Sequence, residues 1–164
     1  MTVFDPAAML DVLNRHGVRY VLIGGLAAAI HGSPFVTVDV DVTPASDSEN
    51  LERLSTALRA LDAEVRADGE AFAFDHDGEL LGRNAIWNLT TAFGDLDLAL
   101  RPSGTAGFDD LTRDAVDLEV LGVVVRVASL ADVVRSKAAA GRSKDAAQLP
   151  LLRRLPEEGG NLAG

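Results

Sequence analysis

The stretch from Tyr20 to Thr43, YVLIGGLAAAIHGSPFVTVDVDVT, constrains this chain more than any other. Tyr20 to Ile23 is a short aliphatic run that ends on Gly24-Gly25, the pattern of a buried strand. Leu26 to His31 is rich in Ala and Leu and predicts a helix that Gly32 stops. Ser33-Pro34 turns the chain. Val38-Asp39-Val40-Asp41-Val42 then alternates with the strand period, so three valines share one face and two aspartates the other. The expected order is strand, Gly-Gly turn, helix, turn and a strand that carries carboxylates.

That order has a chemical use. Glycines let the backbone come close to a ligand, and a helix N-terminus offers free N–H groups and partial positive charge, which suits phosphate. Two carboxylates on one strand face lie about 6.5–7 Å apart at Cα, because each residue rises about 3.3 Å. Their oxygens can converge on Mg²⁺, which takes oxygen ligands and leaves positions for phosphate. A phosphate cradle beside such a pair points to phosphoryl or nucleotidyl transfer.

The motif must be weighed against composition. With 17 Asp in 164 residues, chance alone gives about 1.7 Asp-x-Asp pairs. Three occur: Asp39/Asp41, Asp75/Asp77 and Asp95/Asp97. The middle one lies in Asp75-His76-Asp77-Gly78, which predicts a hairpin turn and is set aside. The first follows the Gly-Gly turn and sits between valines, although the outer face of an edge strand would look the same. Asp95-Leu96-Asp97-Leu98-Ala99-Leu100 repeats the alternation, so the two strands can lie side by side with their carboxylates on one face. Carboxylates about 4 Å apart repel by roughly 1–4 kcal/mol per pair at water-like to surface dielectric, and a divalent cation would relieve this.

Length and composition predict one domain over residues 1–155 and a disordered tail over 156–164. The absence of Cys excludes disulfides and thiol chemistry and suits a reducing, cytoplasmic setting. No signal peptide is expected at the N-terminus, and no stretch reaches the roughly 20 apolar residues of a membrane helix. A net charge of −10 argues against broad electrostatic binding of nucleic acid and favours a basic partner.

Other elements follow from caps and stripes. Asp5-Pro6 starts a helix with Met9, Val12 and Leu13 as its apolar stripe, and Gly17 ends it. Ser46-x-x-Glu49 predicts a capping box for a helix whose leucines at 51, 54, 58 and 61 share one face. Ala71 to Phe74 and Ala85 to Thr91 read as strands, with Trp87 placed for core packing. Phe108 to Asp114 reads as a short helix, and Val116 to Leu121 and Val123 to Val127 as strands meeting at Gly122. Ser129-x-x-Asp132 caps a helix that runs to Ala140. Lys137 falls in the register of its stripe, either snorkelling at the rim of the core or serving a cleft. Ser143 is the expected cap of a last helix that breaks or kinks at Pro150. His31 and Thr37 read as a helix-end polar group and a strand hydroxyl before any contact with nucleotide.

Gly24-Gly25, Asp39-x-Asp41 on the next strand and a later aspartate strand resemble the minimal nucleotidyltransferases of the DNA polymerase β superfamily. The segment Lys137-Ala-Ala-Ala-Gly-Arg142-Ser-Lys144-Asp145 is similar to the bacterial toxin–antitoxin nucleotidyltransferases of the abortive-infection type. The resemblance spans Val18 to Leu155 and implies an α/β fold, a mixed sheet with packed helices. It implies metal-dependent transfer of an NMP from an NTP to an acceptor hydroxyl on tRNA or protein, with a cognate antitoxin as partner. Asp39 and Asp41 would be catalytic ligands of Mg²⁺ or Mn²⁺. Asp97 would be the third ligand and would help to deprotonate the acceptor. Asp95 matches no required position. Gly24 and Gly25 would approach the nucleotide phosphates, and Lys137, Arg142 and Asp145 would serve the triphosphate side or hold the cleft, with Lys137 also catalytic. The family often has Ser where this chain has Gly25, and a polar residue where it has Val38. A non-catalytic module that binds a partner protein and a small-molecule transferase of the antibiotic-modifying kind are the competing readings.

Overall fold

The computed structural model describes residues 3–156, so all of the expected tail except Pro156 lies outside the described residues. One mixed sheet of eight strands carries the fold, in the order β4-β3-β5-β6-β2-β1-β8-β7. The chain begins with α1 (Pro6–Arg15), β1 (Tyr20–Ile23), α2 (Gly24–Ile30), β2 (Asp39–Pro44) and α3 (Ser48–Ala60). It continues with β3 (Glu64–Ala67), β4 (Glu70–Phe72), α4 (Gly78–Arg83), β5 (Ile86–Thr91) and β6 (Gly94–Ala99). It closes with α5 (Phe108–Leu111), β7 (Val116–Val120), β8 (Val123–Val127), α6 (Leu130–Ala140) and α7 (Ser143–Leu152). The expected mixed sheet with packed helices is present, and no described helix is long and apolar enough to cross a membrane.

Strand alternation decides how the helices pack. Val40, Val42, Leu96, Leu98 and Leu89 are fully buried on one face of the central strands. Helices α1, α3 and α4 cover that face with Met9, Leu10, Leu13, Leu54, Leu58 and Leu81, each fully buried. Burying one such side chain contributes about 1.5–3 kcal/mol. Trp87 belongs to this core: its ring stacks on Phe74, and its Nε1–H donates to the Leu81 carbonyl at 2.9 Å. Helices α2, α6 and α7 pack together on the opposite face. They leave uncovered the side of β6 and β5 that bears Asp97 and Asn88.

Several local expectations are corrected. Helix α3 is capped by Asp47, whose carboxylate accepts from the Asn50 N–H at 3.1 Å, one position after the expected Ser46 box. Asp47 also pairs with Arg19, which holds it at the helix end. Asp75-His76-Asp77-Gly78 is no hairpin: Asp77 caps α4 and accepts from Leu80 N–H at 2.8 Å. The hairpin lies at Asp68-Gly69, both with positive φ, between β3 and β4. Leu121 leaves the strand and joins Gly122 in a two-residue turn with φ of 51° and 87°. Arg142, not Ser143, is the residue before α7, and its guanidinium turns to Asp145 instead of capping. Helix α7 runs through Pro150 to Leu152, so the missing N–H falls only two residues before the helix ends.

Asn50 fastens α3 to the sheet. It is fully buried, accepts from Arg19 N–H at 2.7 Å and donates to the Arg19 and Ala45 carbonyls at 3.0 and 2.7 Å. Asn50→Ala strands those backbone groups away from water. We expect it to lower stability by about 2–4 kcal/mol, read as a fall in urea midpoint at constant slope.

Candidate active site

Asp39 and Asp41 project from β2 where it runs parallel to β6, in a register that sets Asp39 opposite Asp95 and Asp41 opposite Asp97. The shared alternation therefore brings the two carboxylate pairs onto one face. Asp39, Asp41 and Asp97 each offer an oxygen, and these oxygens all lie within 4.8 Å of one another. Desolvation and the charges of Asp39 and Asp97 push the Asp41 carboxyl up to about 7, against a smaller opposing pull from Lys137. Asp97 is also raised by burial, although its hydrogen bond to Arg66 pulls the other way. A cluster of carboxylates crowded enough to retain a proton fits a hard divalent cation, which would replace that proton.

Gly24 follows β1 directly and has φ +72°. A Cβ built there would lie 2.3 Å from Asp41 Oδ2, so the missing side chain is the space that the carboxylate occupies. The expected Gly-Gly turn is absent as a separate element: both glycines form the first turn of α2, which has no side-chain cap. Gly25 sits against Thr37, whose Oγ1 would lie 3.0 Å from an added Cβ. Thr37 is in the loop before β2, not on the strand, and its hydroxyl donates to the Asp39 carbonyl at 3.2 Å. His31 is 2% exposed and its Nε2–H donates to the Ala128 carbonyl at 2.8 Å, so it braces α2.

These groups border a cleft of about 680 Å³, whose walls include Gly24, Gly25, Asp39, Asp41, Asp97 and Lys137. Arg142 and Lys144 extend the basic side. Asp145 takes a different place from its neighbours. It is fully buried and pairs with Arg142 Nε at 2.6 Å and Lys137 Nζ at 3.4 Å. Burial alone would raise its pKa, but the two cations hold it below the usual carboxylate range. Lys137 thus borders the cleft from within the apolar register of α6.

Arg66 is the residue that sequence reasoning missed. It extends from β3, donates to the Leu89 carbonyl at 2.7 Å and reaches Asp97 Oδ1 at 2.8 Å and Asp95 Oδ2 at 3.4 Å. The readable signal was Asp68-Gly69, a hairpin dipeptide that places Glu64–Ala67 on a strand.

No protein-family model and no curated protein matches the sequence. The architecture does recur in solved structures. The lincomycin-bound lincosamide antibiotic adenylyltransferase LnuA superposes with a TM-score of 0.63 at 14% identity, over 95% of this chain and 100% of that one. A Thermotoga maritima protein provisionally assigned as a nucleotidyltransferase gives 0.57 at 17% identity, over 92% and 94%. The antibiotic-resistance factor ANT(2'')-Ia gives 0.57 at 12% identity, over 88% and 78%. The chain has the nucleotidyltransferase fold.

The contact between Gly24 and Asp41 generates a paired test. Gly24→Ala meets both a left-handed backbone and the Asp41 carboxylate. The backbone alone should cost about 1–2 kcal/mol in chemical denaturation, and displacement of Asp41 adds to it. Gly25→Ala, which meets only the movable Thr37 side chain, should cost less.

Proposed function

We propose that the chain is a nucleotidyltransferase that moves a nucleoside monophosphate from an NTP to an acceptor hydroxyl. The observation that carries this reading is the meeting of Asp39, Asp41 and Asp97 oxygens within 4.8 Å, in a cleft that also bears Lys137 and Arg142. In this reading Asp39, Asp41 and Asp97 hold Mg²⁺ or Mn²⁺, which when bound supplies positive charge beside the phosphates and acidity to a coordinated hydroxyl. The backbone N–H groups of Gly24 and Gly25 approach the phosphates. Lys137 and Arg142 bind the triphosphate, and Asp145 holds both cations in position. The acceptor oxygen bonds to the α-phosphorus while the bridging bond from the α-phosphorus to the β-phosphate breaks. Pyrophosphate leaves, and the acceptor proton passes to Asp97.

The toxin–antitoxin resemblance points to tRNA or protein as acceptor, with a cognate antitoxin as partner. One observation favours a small hydroxyl-bearing acceptor instead. Phe35, Val36, Val38 and Ile86 are exposed apolar side chains, and all four line the cleft. LnuA, which shares the fold, is a lincosamide antibiotic adenylyltransferase. An apolar lip in a chain of net charge −10 suits an apolar or cationic small molecule better than a polyanion.

The deciding assay offers each of the four radiolabelled NTPs, with Mn²⁺, to total RNA, to protein, and to lincomycin and aminoglycosides. Label should reach one acceptor class. Asp97→Asn should retain NTP binding yet lose transfer by about 10²–10⁴-fold, the range for removal of a general base. Asp95→Asn should be milder. No label on any acceptor from the wild type would leave the partner-binding module as the better reading.

Metal and nucleotide affinity provide a second prediction. Mn²⁺ should raise the Tm of the wild type but not of the Asp39→Asn, Asp41→Asn double variant. Lys137→Ala should weaken NTP binding in calorimetry by about 1–3 kcal/mol, the range for loss of a charged hydrogen bond.

A further inference from the structure

We propose that Arg66 is a positioning residue for the carboxylate cluster: it fixes the orientation of Asp97 and competes with a bound cation for that carboxylate. The inference rests on the metal-binding reading of Asp39, Asp41 and Asp97. Arg66 is itself well anchored. Its NH1 donates to the Leu89 carbonyl at 2.7 Å, which leaves NH2 aimed at Asp97 Oδ1 at 2.8 Å. The same guanidinium lies 3.4 Å from Asp95 Oδ2. It is 29% exposed, does not line the cleft, and reaches Asp97 from β3 across the intervening β5. One Asp97 oxygen is committed to Arg66, while the carboxylate offers an oxygen within 4.8 Å of oxygens from Asp39 and Asp41.

Two physical effects follow and act in opposite directions. The guanidinium, anchored through its other nitrogen on the Leu89 carbonyl, restricts the rotation of Asp97, so the carboxylate is held beside Asp39 and Asp41 before any ligand arrives. The fixed positive charge also reduces the attraction that a divalent cation feels. Arg66 therefore weakens cation binding in the resting protein while favouring the geometry that transfer requires. Asp95 has a place in this account: it helps to hold the guanidinium.

This opposition separates positioning from a simple brace between β3 and β5. With Mn²⁺ as the probe and no nucleotide present, Arg66→Gln should bind the ion tighter than wild type, of the order of tenfold, because one nearby positive charge is gone. With NTP and an acceptor, kcat should fall by about a hundredfold with KM for NTP unchanged, since Asp97 is no longer held. Arg66→Lys keeps the charge without the fork, so its Mn²⁺ affinity should match wild type while kcat stays reduced. Thermal melting of each metal-free variant accompanies these measurements. Mn²⁺ affinity that falls together with Tm would assign Arg66 to bracing and overturn the proposal. So would Arg66→Gln with Mn²⁺ affinity and kcat both unchanged. If no acceptor is labelled even by the wild type, the transfer reading fails. The Mn²⁺ affinities of the two variants then still decide the role of Arg66.

Discussion

The parallel pairing of β2 with β6 is the constraint on which the site depends. It sets Asp39 beside Asp95 and Asp41 beside Asp97, a ladder of like charges that by itself opposes the pairing. Repulsion of roughly 1–4 kcal/mol per pair is set against full burial of Val40, Val42, Leu96 and Leu98 on the other face. At about 1.5–3 kcal/mol for each side chain, burial prevails. The same alternation thus produces both the cost and its compensation. Cations then take up positions at the two margins of the ladder, with Arg66 reaching it from β3 and Lys137 from α6.

A second ionic unit carries this arrangement to the basic wall. Asp145 is buried at the start of α7, where the helix N-terminus also favours negative charge. It draws together Lys137 from α6 and Arg142 from the turn before α7. Two cations on one carboxylate leave excess positive charge, and both side chains line the cleft opposite Asp39 and Asp41. Breaking the buried Lys137–Asp145 pair should cost about 3–5 kcal/mol, whereas Arg142 adds a pair that is open to solvent. The wall is therefore fastened to the fold more firmly than surface lysines would be.

The central half of the molecule was legible because period and burial agree there. Asp39 to Val42 and Asp95 to Leu98 alternate, and the structure pairs them as expected, although Val38 falls short of β2 and is exposed instead of sharing the core face with Val40 and Val42. The helix over residues 130–140 begins at Ser129 and ends at Gly141, as its cap residues indicate. Legibility failed where short range signals compete. Ser46 and Asp47 both offer an N-cap, and Asp47 takes it while pairing with Arg19 just before β1, a contact that no local pattern announces. Asp68-Gly69 and Asp77-Gly78 carry the same dipeptide, yet one forms a hairpin and the other starts a helix. Asp68-Gly69 could place Arg66 on a strand but could not supply its partners. Those partners lie 23 and 31 positions away, on strands whose order no local pattern specifies.

The neighbours β2 and β6 are also far apart along the chain, with 56 positions between Asp39 and Asp95 (95 − 39). Two helices and three strands intervene. Closing so long a loop loses chain entropy before the pairing returns any stability, which makes such contacts slow to form. The hairpin of β7 and β8, with its two-residue turn, faces no such delay. The three carboxylates therefore cannot meet in a partly folded chain that holds only local structure. Their assembly marks completion of the sheet, and a chain that stops short of it presents separated aspartates with no site between them.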